Sequence, residues 1–174
     1  MYLLAHLALG AVAADLVRRW RPGARLDARW VLLGAILPDL VDKPLGFALG
    51  LSGRLWAHAA LVALAVTFVG VALSRRGSGA VLGLALGMWT HLLLDRMWML
   101  PMTFLYPAYG FAFPPEAIGL GDYLHTLLAD PVVWVGEIAG AIVLVAIAWR
   151  NGLRDWLSVR RFLLTGAVAP QHAP

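Results

Sequence analysis

Six side chains in this 174-residue chain have the types and spacing to hold a metal ion: His6, Asp39, Asp42, His58, His91 and Asp95. Asp39 and Asp42 stand at i, i+3, and His91 and Asp95 at i, i+4. On a helix either spacing brings two ligands from one face to one centre. All six lie in or beside apolar stretches. In hydrocarbon an ionised Asp near a helix centre costs about 2.5–3.5 kcal/mol, so something must compensate for it. A divalent cation does so, because it favours carboxylate and neutral imidazole together. Mixed imidazole and carboxylate ligation suits Zn, with Mn or Fe as other choices, whereas Ca and Mg prefer more oxygen. A Zn ion so held would acidify a bound water and polarise a phosphoryl or carbonyl oxygen, which is hydrolysis without a side-chain nucleophile. Asp39, Asp42 and Asp95 are the expected catalytic carboxylates. Arg54 and Arg96 could hold an anionic phosphate, or could equally snorkel to headgroups.

The elements that must position these residues are membrane helices. Hydrophobic residues make up 61% of the chain and charged residues 14%, with a mean hydropathy of +0.76, which is outside the range of ordinary soluble proteins. We expect an all-α polytopic bundle, a single integral membrane domain over residues 1–174. About five spans are expected: residues 1–17, 30–50, 56–73, the stretch from Gly79, and 132–149. Ala11-Val12-Ala13 resembles a signal-peptidase site, but no positive n-region precedes it, so the first segment reads as a retained helix. Pro38 and Pro44 bracket three charged residues and predict a broken or early-ended second helix. Gly79, Gly83 and Gly87 recur every four residues and predict close helix packing. There is no Cys, hence no thiolate site.

Arginines cluster after the first span (Arg18, Arg19, Arg21, Arg25, Arg29), after the third (Arg75, Arg76) and after the fifth (Arg150, Arg154, Arg160, Arg161). This basicity reads as a topology signal rather than a nucleic-acid surface. It predicts an inner-membrane protein with its N-terminus outside and its C-terminus in the cytoplasm. Counted at about 1.5 Å per residue, the His and Asp residues of four helices reach the midplane or the outer half, facing the extracytoplasmic side, where membrane lipid is the expected partner. Residues 101–131, rich in Pro, Gly and aromatics, form an irregular extracytoplasmic loop in which residues 122–128 could make a short surface helix. Glu137 breaks the fifth span and needs a partner, be it support behind the metal ligands, a proton relay or a structural pair. His125 and Asp122 read as solvated and His172 as tail.

The early His6, the Leu-Pro-Asp-x-x-Asp element at 37–42, Gly53-Arg54 leading to His58, and Thr90-His91-x-x-x-Asp95 followed by an aromatic-Pro segment resemble the YdjM-like membrane-bound metal-dependent hydrolases. The likeness spans roughly residues 1–110. It implies that the same six His and Asp residues are the functional positions. The family's kinship with zinc-dependent phospholipases C implies hydrolysis of a phosphoester in a lipid or lipid-linked substrate. Ala57 and Ala59 stand where the family often has Thr and Ser, so fewer polar groups surround His58. The competing class is a non-enzymatic membrane protein that uses the same cluster for ion or proton transport, or for haem. Transport would predict inverted repeats or a larger bundle, haem would favour His pairs in apolar surroundings, and a purely structural subunit leaves the converging acids without a purpose.

Overall fold

Asp27 starts the helix that carries two of the acids. Its extended backbone and its carboxylate, which accepts the Arg29 N–H at 3.0 Å, cap the helix Ala28–Leu49. In a computed structural model describing residues 3–24, 26–115, 120–166 and 168 (backbone only at 120, 122 and 123), this helix is α2. It follows α1 (Leu3–Trp20) and precedes α3 (Ala60–Ser74), α4 (Ala80–Leu94), the single turn α5 (Pro101–Phe104), α6 (Leu120–Ala129), α7 (Pro131–Arg150) and α8 (Trp156–Thr165). Three-residue 3₁₀ turns, Trp56–His58 and Met97–Met99, precede α3 and follow α4. Among the described residues there is no strand beyond one isolated bridge, Leu51 to Pro115. His172, Arg25 and the side chains of Asp122 and Tyr123 lie outside the described residues.

The expected break in the second helix does not occur. Pro38 and Pro44 both lie inside α2, where each removes one i→i−4 hydrogen bond. The helix continues because it packs along α4 and α1, and tertiary contact overrides the local penalty. It stops at Gly50, whose left-handed backbone (φ 62°) returns its N–H to the Gly46 carbonyl. The fourth helix is shorter than the sequence suggests. It ends at Leu94, and Arg96 turns the chain with φ 51°, a conformation few non-glycine residues adopt.

Packing runs backbone to backbone at small residues. A Cβ on Gly34 would stand 2.1 Å from the Leu84 carbonyl oxygen, and one on Gly87 would stand 2.1 Å from that of Val31. Asp27 lies against Gly83 and Val31 against Gly87, so α2 and α4 run parallel. Gly140 abuts the Leu4–Ala5 backbone, and the Glu137 carboxylate accepts the Leu4 N–H at 2.9 Å. Asn151 reaches Asp15, so α1 and α7 are parallel too. Gly70 against Leu82 makes α3 antiparallel to α4, and Gly10 against Val31 and Ala35 makes α1 antiparallel to α2. Glu137 is thus accounted for in part: it supplies an acceptor to an otherwise orphaned N–H in the first turn of α1.

Among the described residues one helix, α7, is long and apolar enough to cross a membrane, with a mean hydropathy of 2.2 and only 11% of its apolar stretch buried, so most of its surface faces outward. Helices α3 and α4 are apolar but have 15 residues each. The five spans expected from the sequence therefore correspond to helices, of which one meets the spanning criterion outright.

The loop between α1 and α2 also fastens α8. Arg29 pairs with Asp27 at 2.7 Å and donates to the carbonyls of Leu163 (3.2 Å) and Leu164 (2.7 Å) in the last turn of α8. The hydrogen bond from Arg29 holds the Asp27 carboxyl below its ordinary value. A depressed carboxyl stabilises the fold above its unfolded-state pKa, and the contribution is lost as pH falls through the folded value. Asp27→Ala is expected to cost about 1 kcal/mol at neutral pH through the lost cap. Thermal unfolding in detergent checks this: the gap between variant and wild type should close on acidification below about pH 4.

Candidate metal centre

Four helical segments bring the six predicted residues to the end of the bundle opposite the arginine clusters. His6 comes from the first turns of α1, Asp39 and Asp42 from the second half of α2, His58 from the 3₁₀ turn, and His91 and Asp95 from the end of α4. His6, Asp39, Asp42, His58 and His91 are all at most 3% exposed. Ligand atoms of Asp39, His58, His91 and Asp95 lie within 4.8 Å of one another.

The orientation of the two central imidazoles follows from what their Nδ1 atoms touch. His91 Nδ1 lies 2.7 Å from the Ala35 carbonyl oxygen, which can only accept, so Nδ1 carries the proton. His58 Nδ1 lies 2.7 Å from Asp42 Oδ2 and donates there. With both rings neutral, as a metal requires, the two Nε2 atoms present lone pairs, and they face each other at 3.2 Å. Two lone pairs do not hydrogen-bond. Nitrogens each about 2.0–2.1 Å from a tetrahedral ion stand roughly 3.3 Å apart, so a shared cation is what this spacing accommodates. Asp39 Oδ1, buried and without a hydrogen-bond partner among the described residues, is 3.6 Å from His58 Nε2 and 3.9 Å from His91 Nε2. The arrangement can hold a metal ion.

Asp42 sits one step back from these atoms. Its Oδ2 accepts the backbone N–H groups of Leu55 (2.7 Å) and His58 (3.1 Å) besides the imidazole, and its Oδ1 accepts that of Ala57 (3.2 Å). The carboxylate thus folds the loop over α2 and sets the His58 tautomer, the usual partner of a metal-ligating imidazole. His6 stands beside the four. Its Nε2 is 3.2 Å from Asp95 Oδ1 and its ring lies against that of His91, centroids 4.2 Å apart.

Cations border the acids on the outer side. Arg54, nearly half exposed at 44%, donates Nε to Asp95 Oδ2 at 3.0 Å. Lys43, which the sequence reading passed over, reaches Asp39 Oδ2 at 2.8 Å; the i, i+4 spacing was the available signal. Arg96 is exposed, and among the described residues no hydrogen bond or ion pair joins it to the cluster. Nor does one join Glu137 to it. His125 is exposed on α6. The segment after α5 walls the cluster: Ser52 N–H donates to the Pro114 carbonyl at 3.1 Å, Phe113 packs edge-on against Trp56 at 5.1 Å, and Tyr106 stacks on Phe113 at 4.7 Å.

Neither a curated protein nor a solved structure matches the chain. A family model described as YdjM inner membrane protein matches residues 1–159.

Proposed function

The chain belongs to the YdjM inner membrane protein family, and from that premise we propose that it is a membrane-embedded, metal-dependent hydrolase acting on a phosphoester of a lipid or lipid-linked substrate. The observation that carries the reading is the pair of Nε2 atoms facing each other at 3.2 Å beside Asp39 Oδ1, which has no hydrogen-bond partner among the described residues. Zn suits this donor set, with Mn or Fe as chemical alternatives. When bound, such an ion supplies a Lewis acid and brings the pKa of a water towards 7.

The chain's own groups complete the site. Asp42 and the Ala35 carbonyl fix both imidazoles, and Asp39 and Asp95 supply negative charge. The exposed Arg54 guanidinium, tethered through Nε, has donors to offer a phosphate oxygen. We assign the phosphate contact to Arg54 in preference to Arg96, which stands apart. A haem reading is disfavoured because His58 and His91 converge on one point from adjacent directions, with no room for a porphyrin between them.

We further propose that α1, α2, α3, α4 and α7 are five crossings, N-terminus outside and C-terminus in the cytoplasm. Their directions alternate as five crossings require, and the arginine clusters gather at one end. The centre would then open to the extracytoplasmic side, where headgroups reach it.

Elemental analysis of purified protein, paired with headgroup release across a phospholipid panel, tests the reading. Bound metal is expected in the wild type, lost in the His58→Ala, His91→Ala double variant. Turnover should fall to background in Asp39→Asn. Negligible metal in the wild type would overturn the centre; bound metal with no turnover on any lipid would overturn the hydrolase reading and favour an ion or proton pathway.

A further inference from the structure

Nine to twelve residues beyond His6 along α1, about 14–18 Å of helical rise, the bundle holds a second polar group, around Asp15 and Arg18, at its arginine-rich end. Asp15 is 1% exposed. It is bound by Arg19 Nε at 2.8 Å, by Arg150 Nη2 and by Asn151 Nδ2 at 3.2 Å. Arg18 is the exception in this group. Its Nε is buried with no hydrogen-bond partner among the described residues, and its Nη2 makes only a long 3.5 Å contact to Asn151 Oδ1. Arg18 as a whole is half-buried, but a buried donor such as its Nε is rarely left unmatched.

Arg18 and Asn151 stand at the edge of a hollow of about 80 Å³ whose other walls are apolar, among them Ala11, Ala14, Leu144, Ala148 and Phe162. A water or a free anion gains nothing from such walls. Three arginines against one carboxylate leave this cluster with two positive charges in excess, and Arg18 is the one that lines the hollow. Beside it, α8 exposes Trp156, Leu157, Leu163 and Leu164 on an amphipathic helix that also bears Arg160 and Arg161, the composition of a helix lying in a membrane interface. The Arg154 guanidinium lies over the Trp149 ring, 4.9 Å from its centroid, at the same level.

We propose that this is a seat for one anionic phospholipid of the adjoining leaflet, its phosphodiester bound by Arg18 and the start of one acyl chain filling the hollow. The lipid supplies the acceptor that Arg18 Nε lacks among the described residues and covers the seam where α1, α7 and α8 meet. The proposal is independent of any hydrolytic activity, because the metal centre lies at the other end of α1.

Native mass spectrometry of the purified full chain tests it, with phosphatidylglycerol and phosphatidylcholine as probes. Wild type should retain a single phosphatidylglycerol and release phosphatidylcholine, and inorganic phosphate should not displace the lipid. Arg18→Gln is expected to weaken retention about tenfold, the effect of one charge-assisted contact. Ala148→Leu, which fills the hollow while leaving every polar group in place, should do the same and decides the matter if Arg18→Gln does not fold. An unchanged thermal unfolding midpoint in detergent reports that either variant is intact. Equal retention of both lipids, wild-type retention in Ala148→Leu, or displacement by inorganic phosphate, which would reveal a free-anion site, would each overturn the proposal.

Discussion

Asp42→Asn is expected to weaken metal retention ten- to a hundredfold while leaving every proposed ligand in place, the range found when the partner of a ligating imidazole is removed. The carboxylate accepts four hydrogen bonds, three from backbone N–H groups and one from His58 Nδ1. An amide has one oxygen to offer. If that oxygen keeps the Oδ2 position, the NH₂ group faces the Ala57 N–H, donor against donor. If it turns the other way, the NH₂ group faces His58 Nδ1, favours the opposite tautomer and places a proton on the Nε2 that should bind the ion. Either outcome loosens the centre. Competition with a chelator of known affinity measures the loss, and an unchanged affinity would show that Asp42 does not set the imidazole.

A second large effect is expected from a single methyl group placed at Gly87, one helical turn before His91. The Cβ of Gly87→Ala would lie 2.1 Å from the Val31 carbonyl oxygen, 2.6 Å from the Ala35 nitrogen and 2.8 Å from the Gly34 carbonyl carbon. These are backbone atoms and cannot swing aside, so α2 and α4 must separate. The expected cost is about 3 kcal/mol or more, the upper end for overpacking. Because the Ala35 carbonyl also holds His91 Nδ1, bound metal should be lost along with thermal stability. Gly23→Ala serves as the control, since nothing lies within 4 Å of the added carbon, and it should unfold within about 0.5 kcal/mol of wild type. If both variants unfold alike, the crossing is not what limits stability.

The sequence makes much of the centre legible because few residues compete for the role. In a chain this apolar, His6, Asp39, Asp42, His58, His91 and Asp95 stand out by their cost in hydrocarbon, and helical spacing pairs them. The glycines at 83 and 87 announce a close helix contact for the same reason, though not that α2 is the partner. What spacing cannot convey is the order of atoms around a point. Asp39 and Asp42 look equivalent at i, i+3, and only the loop folded back over α2, with Gly46 close beneath Ser52, turns one towards the imidazole lone pairs and the other towards backbone N–H groups. Pro38 and Pro44 mislead because local preference says nothing of the neighbouring helices that keep α2 continuous. Apart from Arg19 one turn along from Asp15, Glu137 and Asp15 find their partners across the sequence, at separations of 133 and 135–136 residues, which no periodicity reveals.

The fold of the loop onto Asp42 also bears on how the protein is made. The contacts that fix His58 span only 13 to 16 residues, so α2 and the following turn can close on each other soon after they leave the ribosome. Asp39, Asp42 and His58 would then be arranged in advance, while His91, 33 residues beyond His58, is still to be synthesised. An ion held there would accordingly be loaded late, once α4 is docked along α2, when the Asp42 carboxylate already has its hydrogen bonds from the backbone.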